Sequence, residues 1–125
     1  MTSDIIASLG KVLRGLQGIS PYVLGSAVVT RDGFVVASDL PSEVDERRIT
    51  VMAMAMLTLG QETISELGTS DLERVVVEGK DNYTVLVNAG PDAVVAAVAD
   101  RNAVLGLLLV AMKQTVQRVK EILAP

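Results

Sequence analysis

The chain has 125 residues and a formal net charge of −4, and half of its residues are hydrophobic although Tyr22, Phe34 and Tyr83 are its only aromatic residues. This acidic composition lacks the basic surface and the stacking platforms with which proteins bind nucleic acid, so we expect no nucleic-acid partner. The absence of cysteine and histidine excludes disulfides, Cys/His zinc sites and nucleophilic sites that use a thiol or an imidazole.

The length corresponds to a single domain, residues 1–125, with enough apolar chain to bury a core. The N-terminal sequence has no basic leader, so we expect no signal peptide. The longest apolar run, Ala103–Met112, is much shorter than the roughly 20 residues that cross a bilayer, and we expect no membrane insertion. A chain without cysteine is typical of a cytoplasmic protein.

The first element is an amphipathic helix over residues 3–16, where apolar side chains recur at helical spacing. Thr2 or Ser3 is expected to cap it, and the stretch 15–21, which contains two glycines and a proline, is expected to end it.

Two β-rich runs follow, Tyr22–Thr30 and Phe34–Ser38, joined by Arg31-Asp32-Gly33. An Asp-Gly pair between two such runs predicts a β-hairpin, because glycine adopts positive φ at no steric cost. Gly25 lies inside the first run and indicates either a bulge or the close approach of another element.

The longest predicted helix spans Pro41–Gly68. Ser42 is its predicted N-cap, and Glu43, Asp45 and Glu46 form an acidic first turn that complements the helix dipole. These three carboxylates are therefore interpreted as helix-start residues rather than as an acid–base pair.

This helix is apolar on more than one side. Its main stripe, which we expect to face a sheet, consists of Ile49, Met52, Ala53, Met56, Gly60, Ile64 and Leu67. Further apolar or small residues lie off that stripe: Val51, Met54, Ala55 and Leu59. A helix in a chain of this size normally exposes a polar face to water along its whole length. We therefore infer that it covers a sheet with one face and a partner with the other.

Three more strands are predicted, Leu72–Glu78, Tyr83–Ala89 and Ala93–Ala99, and their short connections make them antiparallel neighbours. The charges of the first are typical of a sheet edge, whereas the third has no polar alternation and should be covered on both faces. From Asn102, a predicted N-cap, the chain is helical to its end. The predicted order is α-β-β-α-β-β-β-α, an α/β sandwich.

No motif in the chain predicts catalysis. The glycines lack the spacing and the strand-to-helix context of a phosphate-binding loop, and the acidic residues lack the dense oxygen-ligand spacing of a calcium loop. We therefore expect no enzyme activity, no catalytic residue, no cofactor and no metal.

The order and spacing of these elements resemble the roadblock/dynein light chain domain family. The hairpin Gly25–Ala37, which reads GSAVVTRDGFVVA, is of the family's G…DG…VA type, and the long helix rich in alanine and methionine follows it. The closing helix that begins NAVLGL at residues 102–107 completes the resemblance, which covers essentially the whole chain.

The resemblance implies a five-stranded antiparallel sheet with the long helix on one face and the two terminal helices on the other. It also implies a homodimer in which the third strands pair edge to edge and the long helices lie side by side. The implied interface residues are Val51, Met54, Ala55 and Thr58 on the helix, and Leu72, Arg74, Val75, Val76, Val77 and Glu78 on the strand.

Members of this family are non-enzymatic, and the resemblance implies that the dimer regulates or scaffolds a small Ras-like GTPase, as the prokaryotic regulators of gliding motility do. Arg47, Arg48 and Met54 are the implied GTPase contacts, although the two arginines would also fit a solvated surface. The alternative is a structural adaptor, a light-chain subunit of a larger signalling or motor complex without effect on nucleotide state. The sequence leaves open the identity of the partner, and whether the dimer contains a paralogous chain.

Overall fold

A computed structural model of the protein describes residues 2–68 and 70–124, in which three helices cover the two faces of a five-stranded antiparallel sheet. The elements in chain order are α1 (Ser3–Ile19), β1 (Val23–Thr30), β2 (Val35–Asp39), α2 (Glu46–Leu67), β3 (Arg74–Glu78), β4 (Asn82–Asn88), β5 (Ala93–Asp100) and α3 (Leu105–Leu123). Across the sheet the strands run β2-β1-β5-β4-β3, so β2 and β3 form its edges. The predicted element order and sandwich are confirmed.

Two hydrophobic cores lie on opposite faces of the sheet. The larger packs α1 and α3 against it, with Leu9, Leu13 and Met112 fully buried. The smaller lies under α2 and consists of Ala27, Val29, Ala53, Leu57, Leu72, Leu86, Val94 and Ala96. Residues of β5 alternate between the two cores, which confirms that this strand is covered on both faces.

The β1–β2 hairpin forms as predicted, and Gly33 adopts a φ of 91° in its turn. The prediction for Gly25 is also confirmed, because a Cβ at that position would lie 2.9 Å from Cδ2 of Leu40. The chain leaving β2 therefore folds tightly over the backbone of β1.

The ends of α1, α3 and β3 differ from the predictions, whereas the other strands differ by a single residue at an end. Helix α1 continues through Gly15 and Gly18 to Ile19 because Leu16 is buried and its carbonyl accepts the N–H of Ser20 at 2.8 Å. Burial of the helix outweighs the cost of about 1 kcal/mol that each glycine imposes. Helix α3 begins at Leu105, so its N-cap is Val104 and not the predicted Asn102. Strand β3 begins at Arg74 rather than at Leu72.

Helix α2 begins three residues later than its predicted cap implies, and Ser42 is not its N-cap. Asp45 caps the helix, since its carboxylate accepts the N–H of Arg47 at 2.9 Å. Pro41 and Val44 instead close a turn before the helix, with the Val44 N–H donating to the Pro41 carbonyl at 3.0 Å. This turn determines that Asp45 rather than Ser42 caps the helix, and the sequence pattern does not reveal the turn.

Candidate interaction surface

The outward face of α2 is an apolar stripe without cover from the described chain. Val51 is 68% exposed, Leu59 is 66% exposed and Met52 is 48% exposed, and Ala55 between them is exposed as well. Few charged side chains interrupt this stripe before the glutamates in the last two turns of α2. Exposed apolar groups that adjoin one another on one helix face are typical of an interaction site.

The rotation of α2 about its axis differs in part from the prediction. Ala53 and Leu57 are its buried residues, about 40° apart on the helix, whereas Met52, predicted to face the sheet, lies on the outward stripe. Met54, predicted to contact a partner, is half-buried against the smaller core, and Leu67 is exposed. A helical projection centred on Leu57 would have placed Met52 on the outward side, where Leu59 was already predicted.

Val51, Ala55 and Thr58 are exposed and lie where the sequence analysis predicted a partner-facing surface. Their exposure is a condition for that role, and the role itself stays a prediction.

Gly60 sets how closely α2 approaches the sheet. A Cβ at this position would lie 3.0 Å from side-chain atoms of both Leu72 and Val75. The C-terminal half of α2 therefore rests directly on the start of β3, and the helix and the edge strand form one structural unit.

The edge strand β3 is exposed along most of its length. Val76 is 37% exposed and Val77 is 48% exposed, and the charged residues Arg74 and Glu78 at its ends are exposed too. Val75 is half-buried under α2. Leu72, which was predicted to belong to the strand and its interface, precedes the strand and is buried in the smaller core. Its burial excludes it from the exposed edge.

A polar network holds the chain before β3 in place. The side-chain amide of Asn88 donates to the Leu72 carbonyl and accepts a hydrogen bond from Arg31 at 2.6 Å. The Leu72 N–H donates in turn to the side-chain oxygen of Gln61 on α2 at 3.3 Å. The network joins β4, the β1–β2 turn and α2 around the start of the edge strand. Sequence reasoning missed it, because no local pattern links residues this far apart.

The other end of β3 is held by Arg101. Its guanidinium lies 3.4 Å from a carboxylate oxygen of Glu78 and 4.6 Å from the centre of the Tyr83 ring, and it donates to the Tyr83 hydroxyl. The position of the Glu78 carboxylate at the sheet edge is thus influenced by a neighbouring loop.

Comparison with known proteins assigns this architecture to a family. The sequence model of the Roadblock/LC7 domain matches residues 10–99, and a protein of uncharacterised function from Methanocaldococcus jannaschii is 38% identical over 98 residues, which cover 78% of this chain and 82% of the relative. The chain belongs to the Roadblock/LC7 domain family. Domains of this family are generally non-catalytic adaptors or regulators.

Solved structures of Roadblock/LC7 domains share the fold. The domain from Streptomyces avermitilis aligns with a TM-score of 0.86 at 22% identity and covers 93% of this chain and 98% of its own. MglB from Myxococcus xanthus aligns with a TM-score of 0.88 at 15% identity, over 98% of this chain and 92% of its own. At these identities the likeness concerns the fold.

The arginines predicted to contact a GTPase, Arg47 and Arg48, lie in the first turn of α2 and are exposed. The Glu46 carboxylate beside them accepts a hydrogen bond from the Ser38 hydroxyl at 2.8 Å, which ties the helix start to β2. Both arginines border the same outward surface as Val51. The choice between a contact and a solvated charge stays open.

Residues 2–68 and 70–124 contain no group of three acidic, cysteine or histidine side chains arranged to hold a metal ion. None of the helices within those residues combines the length and the apolar character needed to span a bilayer.

Proposed function

We propose that the chain is a non-catalytic homodimeric module that binds a small Ras-like GTPase and regulates or scaffolds it. The observation that carries this proposal is the adjacency of two uncovered surfaces, the apolar outer stripe of α2 and the exposed edge strand β3. Each surface would be a liability in an isolated protomer, since one exposes apolar groups and the other exposes unpaired backbone groups.

The dimer would cover both surfaces with their own copies. An isologous dimer brings the same patch of each protomer together about a two-fold axis, so one interface serves the helix and the strand at once. The small side chain of Ala55 leaves room for a second helix to approach closely, and Val51 and Thr58 lie near it on the exposed side. A solved MglB in a tetrameric arrangement supports self-association within this fold.

Contact with a GTPase would use the part of the α2 surface near its N-terminus. Arg47 and Arg48 supply positive charge there in a chain whose net charge is −4. A guanidinium pairs with carboxylates or phosphates through fixed, forked donors, so these residues suit an acidic segment of a partner. Met54 lies two turns further along α2, half-buried against the smaller core, and the exposed part of its flexible side chain would adapt to the partner.

The test uses purified small Ras-like GTPases of the source organism, each loaded with GDP or with a GTP analogue. Binding is measured by calorimetry, and the rates of GTP hydrolysis and of nucleotide release are measured with and without this protein. Reversing both arginines (Arg47→Glu, Arg48→Glu) is expected to weaken binding. The matched control reverses two exposed cationic residues on the opposite layer (Lys11→Glu, Arg14→Glu) and should leave binding unchanged.

The outcomes distinguish regulation from a purely structural role. A changed hydrolysis or release rate supports regulation, whereas tight binding without any rate change supports the structural adaptor. Absence of binding to every GTPase would refute the GTPase partner while leaving the dimer to be judged by its own test. We further propose that the protein is cytoplasmic and that residues 1–125 form a single domain.

A further inference from the structure

The hydrogen bonds at the two ends of β3 reveal which of its backbone groups point away from the sheet. The carbonyl of Glu73 accepts the N–H of Asn88 at 3.1 Å, and the N–H of Gly79 donates to the carbonyl of Asn82 at 2.8 Å. In an antiparallel ladder, alternate residues direct both their N–H and their C=O to the same neighbour. Residues 73, 75, 77 and 79 therefore face β4, and Arg74, Val76 and Glu78 present their backbone groups to the outside.

The side chains of these three outward-bonding residues share one face of the sheet. Val76 lies opposite Val85 of β4, which belongs to the core under the terminal helices, whereas Val75 and its cross-strand partner Leu86 belong to the α2 side. Arg74 and Glu78 lie on the same face as Val76, because alternate residues of a strand point to opposite faces. The outward-bonding residues along the free edge are therefore a cation, a valine and an anion, in that order.

When this edge pairs with its own copy, only some alignments place the outward backbone groups of the two strands opposite each other. A two-fold axis at Val76 pairs all three outward residues with those of the second strand, and each facing pair exchanges two hydrogen bonds. That alignment places Arg74 opposite the partner's Glu78, twice per dimer. An axis at Arg74 or at Glu78 would instead place like charges opposite each other, which is destabilising.

The intermediate alignments are poorer for other reasons. Pairing Arg74 with the partner's Val76 would place Glu78 opposite the partner's Leu72, which is buried and precedes the strand. Pairing Val76 with the partner's Glu78 would place Arg74 opposite the partner's Lys80, another cation. The alignment centred on Val76 alone combines full overlap with opposite charges.

We propose that β3 pairs with the β3 of a second copy of this chain in the alignment centred on Val76, and that the Arg74–Glu78 pairs determine this alignment and the preference for self over other edge strands. This inference rests on the homodimer proposed above. It names the residues by which the protein recognises its own copy.

Arg101 acts as a positioning residue in this arrangement. It contacts one oxygen of Glu78, whose side chain is still 57% exposed, so the carboxylate retains capacity for a second cation. Arg74 of the partner would approach from the open side of the edge. The carboxylate would then lie between two guanidinium groups, one from each protomer.

The experiment exchanges the charges between protomers. Dissociation constants are measured by sedimentation equilibrium for the wild type, for Arg74→Glu, for Glu78→Arg and for an equimolar mixture of the two variants. Each variant alone places like charges at both facing positions, and we expect its dimer to be about ten- to thirtyfold weaker at low salt. The mixture restores opposite charges at both positions, so a heterodimer close to wild-type affinity is expected.

Controls separate folding from recognition. Circular dichroism establishes that each variant is folded, and the milder pair Arg74→Gln and Glu78→Gln replaces any reversal that is not. Lys80→Glu changes the sign of an exposed charge outside the facing set and should leave the dissociation constant unchanged. The effect of the reversals should shrink at high salt, since exposed charges are screened there.

Three results would overturn the inference, in two different ways. Folded single variants that dimerise like the wild type, or a mixture no tighter than either variant, would refute this alignment while the homodimer stands. A wild type that remains monomeric would refute the homodimer, and the alignment with it.

Discussion

Replacing Val76 with proline tests the edge pairing most directly, because its backbone N–H points away from β4. Proline has no N–H to donate, yet it is tolerated on an edge strand when that side faces solvent. The substitution Val76→Pro therefore leaves the β3–β4 ladder intact within one protomer. Val77→Pro, one residue further, removes a donor that faces Thr84 on β4 and should destabilise the protomer itself.

The size of the effect follows from the pairing of Val76 with the partner's Val76. Each dimer loses two interchain donors and leaves two carbonyl groups unpaired, at about 1–3 kcal/mol for each. The sum of about 2–6 kcal/mol corresponds to a dissociation constant roughly 30-fold to 20,000-fold higher. Val76→Ala keeps the N–H and loses only side-chain contact, so its dimer should remain close to wild type.

Sedimentation equilibrium gives the dissociation constants of the three proteins, and urea unfolding of each establishes whether the protomer is intact. We expect Val76→Pro to be folded and largely monomeric, Val76→Ala to be dimeric, and Val77→Pro to unfold at lower urea. A folded Val76→Pro variant with the dissociation constant of the wild type would show that β3 does not pair through its outward groups.

Three further predictions concern other parts of the molecule. Ala55→Glu should weaken the dimer without lowering protomer stability, because Ala55 is exposed, and a dimer of unchanged affinity by sedimentation would exclude helix contact there. Ser26→Ala should raise the free energy of unfolding by about 1 kcal/mol, since the buried Ser26 hydroxyl has no hydrogen-bond partner among residues 2–68 and 70–124; a loss of stability in urea would reveal such a partner. Asp45→Ala should cost about 1 kcal/mol of stability and Ser42→Ala almost nothing, and equal costs in thermal unfolding would contradict the cap at Asp45.

The sequence predicted the two exposed surfaces, the sheet edge and the second face of the long helix, more accurately than the residues that form them. The charged ends of the Leu72–Glu78 segment indicated a sheet edge, and β3 is an edge strand. The doubly apolar character of the long helix indicated a second uncovered face, and α2 has one. The pattern did not reveal that Met52 points outward while Leu57 is buried, since both positions carry apolar side chains of similar size.

The sequence by itself determined the element order, the hairpin turn at Gly33 and the exclusion of thiol and imidazole chemistry, because each depends on residues close together in the chain or on residue types that are absent. Only the tertiary structure decided the rotation of α2, because a helix with apolar groups on several sides has more than one favourable orientation. Close packing of Gly60 on Leu72 and Val75 selects one of them. The outward direction of the Val76 backbone is likewise a property of the ladder, since the alternation of hydrogen bonds begins only where β3 meets β4.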